Sequence, residues 1–169
     1  IDIIKNLIIK YFIANGNATN NDLAKEFSLS VPTVSKIIAE MTAEGTVNEF
    51  GKLETGEGRH PNLYGLNPDS GYFVGVDTLP DSVSLGLMNF RGDLVELSMN
   101  VPFKIENNEE SLEALCKIVR DFIDGLDVNK KKVLAVCVNI SGRVNPYSGY
   151  SYSMFNFSER PLTELLSSK

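Results

Sequence analysis

The sequence predicts an α+β chain, in which a small helical domain with a strand pair precedes part of a layered α/β lobe. Apolar residues at the start of the chain recur at steps of three and four, as in helices. After Gly45 they fall into short alternating runs typical of strands. A turn-rich junction then introduces a second set of runs. We therefore predict domains at residues 1–66 and 72–169, joined by a linker at residues 67–71.

The first two helices are predicted from periodicity and from residues that end or cap a helix. Over residues 1–14 the apolar side chains at helical spacing are Ile4, Leu7, Ile8, Tyr11 and Phe12. The run ends at Asn15-Gly16-Asn17, where residues tolerate positive φ. Thr19, with Asp22 three positions later, resembles a capping box. This pair predicts the start of a short second helix.

A third helix is predicted to begin after Ser30. Ser30 can cap its amino end, and Pro32 falls in the first turn, where the missing N–H costs nothing. One predicted buried stripe consists of Val31, Val34, Ile37, Ile38 and Met41. The opposite face is a short surface of mostly small side chains, which are those of Pro32, Thr33, Ser35, Lys36 and Ala39. A merely solvated helix usually carries longer polar side chains. With the three-residue turn before it, this helix completes a helix-turn-helix pattern and is its predicted recognition helix.

A wing is predicted directly after these helices. Val47 to Lys52 and Asn62 to Leu66 each suit a strand, and the segment between them is rich in glycine and charge. Arg59 near the tip could reach a minor groove or a phosphate, since its planar fork offers several donors. A solvated hairpin tip that makes no such contact explains the segment equally well.

The charge balance excludes a general nucleic-acid coat, which would carry a basic surface. The chain has a formal net charge of −6, and residues 1–66 carry six Lys and Arg against eight Asp and Glu. Binding to DNA would therefore require a local basic face. The candidates for that face are Lys25, Lys36, Lys52 and Arg59.

Composition excludes several other classes of protein. With 43% apolar residues the chain can build a core, yet it holds no apolar run long enough for a membrane span. No signal-peptide pattern follows Ile1, so we expect a cytoplasmic protein. Cys116 and Cys137 lie in apolar contexts that favour two buried thiols. Because His60 is the single histidine, no zinc cluster is expected, and we expect no cofactor.

The second part of the chain is predicted to be half of an α/β lobe. Its three strand-like runs are Tyr72 to Asp77, Val83 to Asn89 and Leu94 to Val101. Arg91-Gly92-Asp93 suits the hairpin turn between the last two. Helical spacing over Glu109 to Asp124 predicts a crossover helix, and the apolar run Val133 to Ile140 predicts a buried parallel strand.

Residues 19–66 carry four short motifs, the last of which runs on into the linker. They are Leu29-Ser-x-Pro-Thr-Val-Ser35, Glu44-Gly45, Gly58-Arg59-x-Pro61 and Leu66-Asn67-Pro68. They resemble the amino-terminal winged helix of the ROK family of sugar-responsive regulators and sugar kinases, whose members include the N-acetylglucosamine and xylose repressors. The resemblance implies that this module binds operator DNA, with the Gly-Arg-x-Pro element in its wing. The side chains expected at the DNA are Pro32, Thr33, Ser35, Lys36, Arg59 and His60.

The second part resembles the actin-like (ribonuclease H-like) lobe that opens the second domain of ROK proteins. In the family's kinases the first hairpin carries Asp-x-Gly-x-Thr, whose glycine lets backbone amides approach ATP phosphates. This chain has Asp77-Thr78-Leu79-Pro80-Asp81 there. Leu79 replaces the glycine, and Asp81 adds negative charge where a triphosphate would lie. We therefore expect that the loop repels ATP and that the chain is not an enzyme.

A candidate sugar site is implied near the end of the chain. Residues 139–149 are similar to the family's Pro-Gly-x-Val-Asp/Asn-x-x-x-Gly loop, with Ser141 in place of the proline. Residues 154–157 match the segment that borders the sugar cleft in relatives. The candidate ligand-binding residues are Ser141, Gly142 and Asn156, of which Asn156 offers both a donor and an acceptor. Bonding of these residues to nearby backbone is an equally good explanation.

The family's kinase-base segment, Glu-Asn-Asp-x-Asn, and its Cys-x-Cys-x-x-x-x-Cys zinc loop do not occur before Lys169. The resemblance thus covers about half of a full family member. It implies a sugar-responsive repressor of carbohydrate metabolism genes, with operator DNA as partner and a sugar or amino-sugar derivative as effector. A homodimer would form through carboxy-terminal parts absent from this sequence. The alternative is a ROK-type sugar kinase with an accessory winged helix, and a protein-binding winged helix is a third interpretation.

Overall fold

A computed structural model describes residues 2–53 and 60–169. The chain divides into two compact units, residues 1–71 with 89–93 and residues 72–88 with 94–169. The elements of the first unit are α1 (Asp2–Asn15), β1 (Ala18–Thr19), α2 (Asn20–Glu26), α3 (Val31–Ala43), β2 (Val47–Lys52) and β3 (Asn62–Leu66). Together they form a winged helix-turn-helix, as predicted.

The two short helices of the motif begin where local chemistry places them. Thr19 and Asp22 form the capping box of α2, and the Ser30 side chain accepts a hydrogen bond from the Thr33 N–H at the start of α3. Between the helices Ser28 adopts a positive φ of 52°. That conformation turns the chain sharply, so that α3 can pack against α2.

The core of the first unit lies among the three helices and the wing. Its buried members include Ile8, Phe12, Leu23, Val34, Ile37, Ile38, Met41, Val47 and Leu66. The prediction that Val31 belongs to the buried stripe is wrong, because this side chain is 41% exposed. Val31 is the first residue of α3, and the buried side of the helix begins with Val34 in the next turn.

The wing is a three-stranded antiparallel sheet in the order β1-β3-β2. In the register, Val47 lies opposite Leu66, and Ala18 lies opposite Tyr64. The two-residue strand β1 was not predicted, because two residues give no periodicity. Arg59, the predicted tip residue, lies outside the described residues.

The elements of the second unit are β4 (Tyr72–Thr78), β5 (Ser82–Asn89), β6 (Leu94–Pro102), α4 (Glu109–Gly125), β7 (Val133–Asn139) and α5 (Leu162–Ser167). The last residue of β5, Asn89, belongs with residues 90–93 to the first unit. The sheet order is β6-β5-β4-β7. Strand β7 runs parallel to β4, as the predicted crossover requires, and β5 is antiparallel to β6. This arrangement confirms the α+β class. Helix α5 was not predicted.

One face of the second sheet is packed and the other is exposed. The packed face and the helices on it contribute Val74, Val76, Val83, Leu85, Leu112, Leu115, Cys116, Leu162 and Leu165 to the core. Two predictions are wrong here: β7 is not buried on both faces, and Cys137 is exposed. Among the described residues, α4 and α5 contribute to a core on one face, which leaves Leu134 56% exposed. Cys116 is buried, as predicted.

The described residues contain neither a helix suited to cross a membrane nor a cluster suited to hold a metal ion. None of the helices there combines the length and the apolar character needed to cross a membrane. Nor do residues 2–53 and 60–169 bring together three or more His, Cys, Asp or Glu side chains in a group that could hold a metal ion.

Candidate nucleic-acid interface

A groove in the first unit lies between α3 and the base of the wing. Its volume is about 440 Å³. The lining residues come from the start of α2, from the first turns of α3 and from β3 with the residues before it, and they are Asn20, Asn21, Val31, Ser35, His60, Pro61, Asn62 and Tyr64. Two of the predicted residues, Ser35 and His60, therefore face the same space. The exposure of Val31 also places it in this groove.

Ser35 is held from across the helix-turn-helix by a residue of α2. The Asn20 amide nitrogen donates a hydrogen bond to Ser35 Oγ at 3.0 Å. Asn20 Oδ1 is buried and has no hydrogen-bond partner within the described part of the chain. Sequence reasoning missed Asn20 and Asn21. The adjacent capping box marked the start of α2 but gave no sign of which α3 residue would lie opposite.

Thr33 and Pro32 lie on the exposed amino-terminal turn of α3, outside the lining of the groove. The Thr33 hydroxyl lies 2.8 Å from the Ser30 hydroxyl, and the Thr33 N–H donates to the same oxygen at 3.3 Å. The cap therefore fixes the direction of the Thr33 side chain. A contact from Thr33 to a base or phosphate would share a hydroxyl that already belongs to this cap.

Lys36 is exposed and forms no ion pair with any other described residue. Glu40, one helical turn further on, pairs with Lys5 of α1 at 3.4 Å. Glu44 also binds Lys5, at 2.6 Å, and this hydrogen bond raises the pKa of Lys5 above its ordinary value. Two of the carboxylates that make this unit acidic are thus paired with a lysine on another helix. The pairing leaves the Lys36 ammonium available to an external anion.

The wing is closed at its base by contacts around His60. The Leu53 N–H donates to Pro61 O at 2.9 Å, and His60 Nδ1 lies 3.3 Å from Leu53 O. These contacts place His60 at the edge of the groove. They make His60 a wing residue that faces α3.

In the second unit, Ser141 and Gly142 lie in an exposed loop. Gly142 has a φ of 122°, and a Cβ there would collide with the Ser153 side chain. The Arg143 N–H donates to Ser153 Oγ at 3.2 Å. Gly142 therefore allows the loop to close against residue 153. The structure gives this glycine a role in loop geometry.

Asn156 is engaged by other residues of its own unit. Its Oδ1 accepts from Asn107 Nδ2 at 2.6 Å, and its Nδ2 donates to Tyr152 O at 2.9 Å. The Asn156 N–H also donates to Asn107 Oδ1 at 3.0 Å. Both ends of the amide already have a partner, so a sugar hydroxyl would have to share or replace one of these bonds.

The loop predicted to repel ATP joins β4 to β5. Asn139 donates to Asp77 Oδ1 at 2.7 Å, and the Thr78 hydroxyl donates to Asn139 O at 2.9 Å. Asp77 thus links the ends of two parallel strands. Leu79 is 45% exposed and Asp81 is also exposed, so an apolar side chain and a carboxylate occupy the turn.

Comparison with known proteins agrees with this geometry. The family described as winged helix-turn-helix DNA-binding matches residues 1–48. A protein of Caldicellulosiruptor sp. (strain Rt8B.4), named as a proposed xylose repressor, is 30% identical over 146 residues, which cover 86% of this chain and 36% of that protein. The xylose repressor of Caldicellulosiruptor bescii is 28% identical over the same shares of the two chains.

A solved structure extends the likeness to both units. The crystal structure of a ROK family transcriptional regulator, described as a homolog of the E. coli MLC protein, matches with a TM-score of 0.67. The match covers 96% of this chain and 42% of that one, at 17% identity. The chain resembles the amino-terminal part of ROK family transcriptional regulators. This confirms the family resemblance predicted from the sequence.

The extent of the ROK resemblance is partial. The chain spans about a third of the length of the curated relatives it matches, 36% in each case. Those relatives are named as repressors, and the solved structure is named as a transcriptional regulator. About two thirds of each of those relatives lie outside the match.

Proposed function

We propose that the protein is a sugar-responsive DNA-binding transcriptional repressor of carbohydrate metabolism genes. The observation that carries the proposal is the groove in which Ser35 of α3 faces His60 of the wing. A helix with small polar side chains beside a wing is an arrangement that can enter the major groove of DNA. Support also comes from relatives that are named xylose repressors. The proposed repressor acts in the cytoplasm, where its DNA target lies.

In this proposal α3 enters the major groove of the operator. Thr33 and Ser35 offer hydroxyls to base edges, and Pro32 makes close apolar contact with the bases. Lys36 binds a backbone phosphate, because its charge is unpaired within the described residues. His60 and Arg59 act from the wing. The net −2 of the first 66 residues does not oppose this role locally, because Glu40, one helical turn from Lys36, is paired with Lys5.

The effector in this proposal is a sugar or amino-sugar derivative that binds the second domain. Xylose is the first candidate, because the relatives are named for it. Ser141, Gly142 and Asn156 remain candidate ligand residues. A homodimer would present two α3 helices to half-sites about one helical turn apart, or multiples of that distance. The protein is not proposed to be a kinase, because Leu79 and Asp81 occupy the turn where the family's kinases cradle ATP.

The test is enrichment of sequences from a pool of randomised duplex DNA, followed by gel shifts with the enriched duplex at two salt concentrations. A repressor of this type enriches a two-fold symmetric sequence and loses affinity as salt rises. The intact protein is then titrated with xylose, other neutral monosaccharides and amino sugars. One of them is expected to change the affinity for DNA. A protein that enriches no sequence and binds every duplex equally is not a repressor of this kind.

A further inference from the structure

Among the described residues, the Ser35 hydroxyl accepts a hydrogen bond and donates none. A hydroxyl offers one donor and two acceptor sites. Within a helix, serine and threonine commonly donate to the carbonyl four residues earlier. Thr42 of the same helix does so, with its Oγ1 2.8 Å from Ile38 O. Among the described contacts of Ser35, the hydroxyl instead accepts from Asn20 Nδ2 at 3.0 Å.

The contact with Asn20 leaves the proton of the Ser35 hydroxyl available to another partner. Because the Asn20 amide nitrogen can only donate, it occupies an acceptor site of Ser35 Oγ and leaves the proton unused. Ser35 is half-buried and lines the groove between α3 and the wing. The proton is therefore available to an acceptor that enters the groove.

Asn20 is well placed to impose this polarity. It follows Thr19 of the capping box, so the start of α2 fixes its backbone. Its Oδ1 is buried without a partner in the described part of the chain. Within the described residues, the bond to Ser35 is therefore the hydrogen bond that the Asn20 side chain makes.

We propose that Asn20 is a positioning residue that makes Ser35 a hydrogen-bond donor, so that the groove recognises an acceptor atom on DNA. In the major groove such acceptors are purine N7, guanine O6 and thymine O4, and a phosphate oxygen has the same chemistry. Ser35 Oγ keeps one further lone pair, so the preference for an acceptor atom depends on the proton that the Asn20 contact leaves available. The inference rests on the proposed DNA-binding function and adds a residue and a recognition rule to it.

The deciding variant is Asn20→Asp, which keeps the size of the side chain and replaces the donor by an acceptor. Ser35 would then donate to the new carboxylate and present lone pairs to the DNA. An acidic residue in the first turn of a helix is favourable, whereas burial of a carboxylate oxygen at the Oδ1 position is costly, so the fold of the variant is measured directly. Asn21→Asp is the matched control, because Asn21 lines the same groove and is the next residue along. Thermal melting of both variants checks the fold.

Each protein selects from the same randomised duplex pool. If Ser35 reads a base, Asn20→Asp moves the preference at one operator position from an acceptor base edge to an amino group, by about tenfold in relative affinity. Ser35→Ala loses the preference at that same position. The Asn21→Asp control lowers affinity for all sequences and leaves every preference intact. The double variant with Asn20→Asp and Ser35→Ala is expected to show the same base preferences as Ser35→Ala alone.

If Ser35 donates to a phosphate, the preferences stay unchanged. The wild-type protein then loses about tenfold affinity when one phosphate of the enriched duplex is replaced by a neutral methylphosphonate, and Asn20→Asp is insensitive to that replacement. The inference is overturned if Asn20→Asp behaves as Asn21→Asp in both experiments. A wild-type protein that enriches no sequence overturns the proposed function, and the inference with it.

Discussion

Thr19 and Asp22 satisfy each other's backbone N–H groups at the start of α2. Thr19 Oγ1 accepts from the Asp22 N–H at 3.2 Å, and Asp22 Oδ2 accepts from the Thr19 N–H at 3.0 Å. The Thr19 hydroxyl also donates to Asp22 Oδ2 at 2.6 Å. The pair thereby fixes the backbone just before Asn20, and so it positions one wall of the groove.

Asp22 should make the stability of the first unit depend on pH. The hydrogen bond from the Thr19 hydroxyl, followed by that from its N–H, lowers the pKa of Asp22 below its ordinary value. A carboxyl whose pKa is lower in the folded than in the unfolded state stabilises the fold above its unfolded pKa. That contribution is lost as the pH falls below about 4 and passes through the folded pKa.

The measurement is urea denaturation between pH 7 and pH 3 for the wild-type protein and for Asp22→Asn. The difference in free energy of unfolding should be largest near neutral pH and shrink as the pH falls. At pH 7, Thr19→Ala should cost about 1 kcal/mol as a lost cap, while Thr19→Ser, which keeps the hydroxyl, should cost less. Parallel pH curves for wild type and Asp22→Asn would contradict the role of the carboxylate.

Lys36→Ala should weaken DNA binding through the phosphate backbone. If Lys36 neutralises one phosphate, its removal lowers the slope of log K against log salt by about one and affects different sequences alike. The control is Lys10→Ala, which removes an exposed lysine of α1. Gel shifts at four salt concentrations with the enriched duplex measure both slopes. An unchanged slope for Lys36→Ala would remove Lys36 from the DNA-binding face.

The helix starts could be predicted because their chemistry is local. Thr19, Asp22, Ser30 and Pro32 act within one turn of their own helix, so spacing alone identifies them. The strands of the wing followed from the change of period after Gly45. The resemblance to ROK regulators then supplied the fold of the second unit, which four strands and a crossover helix only suggested.

The features that sequence reasoning missed depend on contacts between distant residues. Asn20 and Ser35 are 15 residues apart in the sequence, and the pattern of either helix alone does not predict their contact. Cys137 was predicted to be buried because β7 is apolar from Val133 to Val138. Burial of a strand also depends on what covers each face of its sheet, and the described residues cover one face of this sheet. Sequence reasoning also missed Phe155, which is fully buried although its backbone has a positive φ of 55°.

Ile38→Ala should destabilise the first unit strongly. Ile38 is 1% exposed in the core among the three helices. Deleting its side chain leaves a cavity and should cost about 2–5 kcal/mol. Ile3→Ala removes the same atoms from a residue of α1 that is 77% exposed, and should cost far less. Hydrogen exchange of the α3 amides measures both effects. Equal losses of protection in the two variants would show that α3 is not held by this core.

Gly142→Ala should disturb the loop that carries the candidate sugar-binding residues. At its φ of 122°, alanine is strained, and its Cβ would collide with the Ser153 side chain. The expected cost exceeds about 1 kcal/mol, measured as lost hydrogen-exchange protection of residues 143–153. Gly75→Ala is the matched control, because a Cβ there meets no atom within 4 Å.

If the loop takes part in effector binding, Gly142→Ala also weakens the response of DNA affinity to the sugar found in the screen, while Gly75→Ala leaves it intact. A Gly142→Ala protein with unchanged exchange and an unchanged sugar response would exclude this loop from the site, since the substitution cannot be accommodated without moving residue 142 or residue 153.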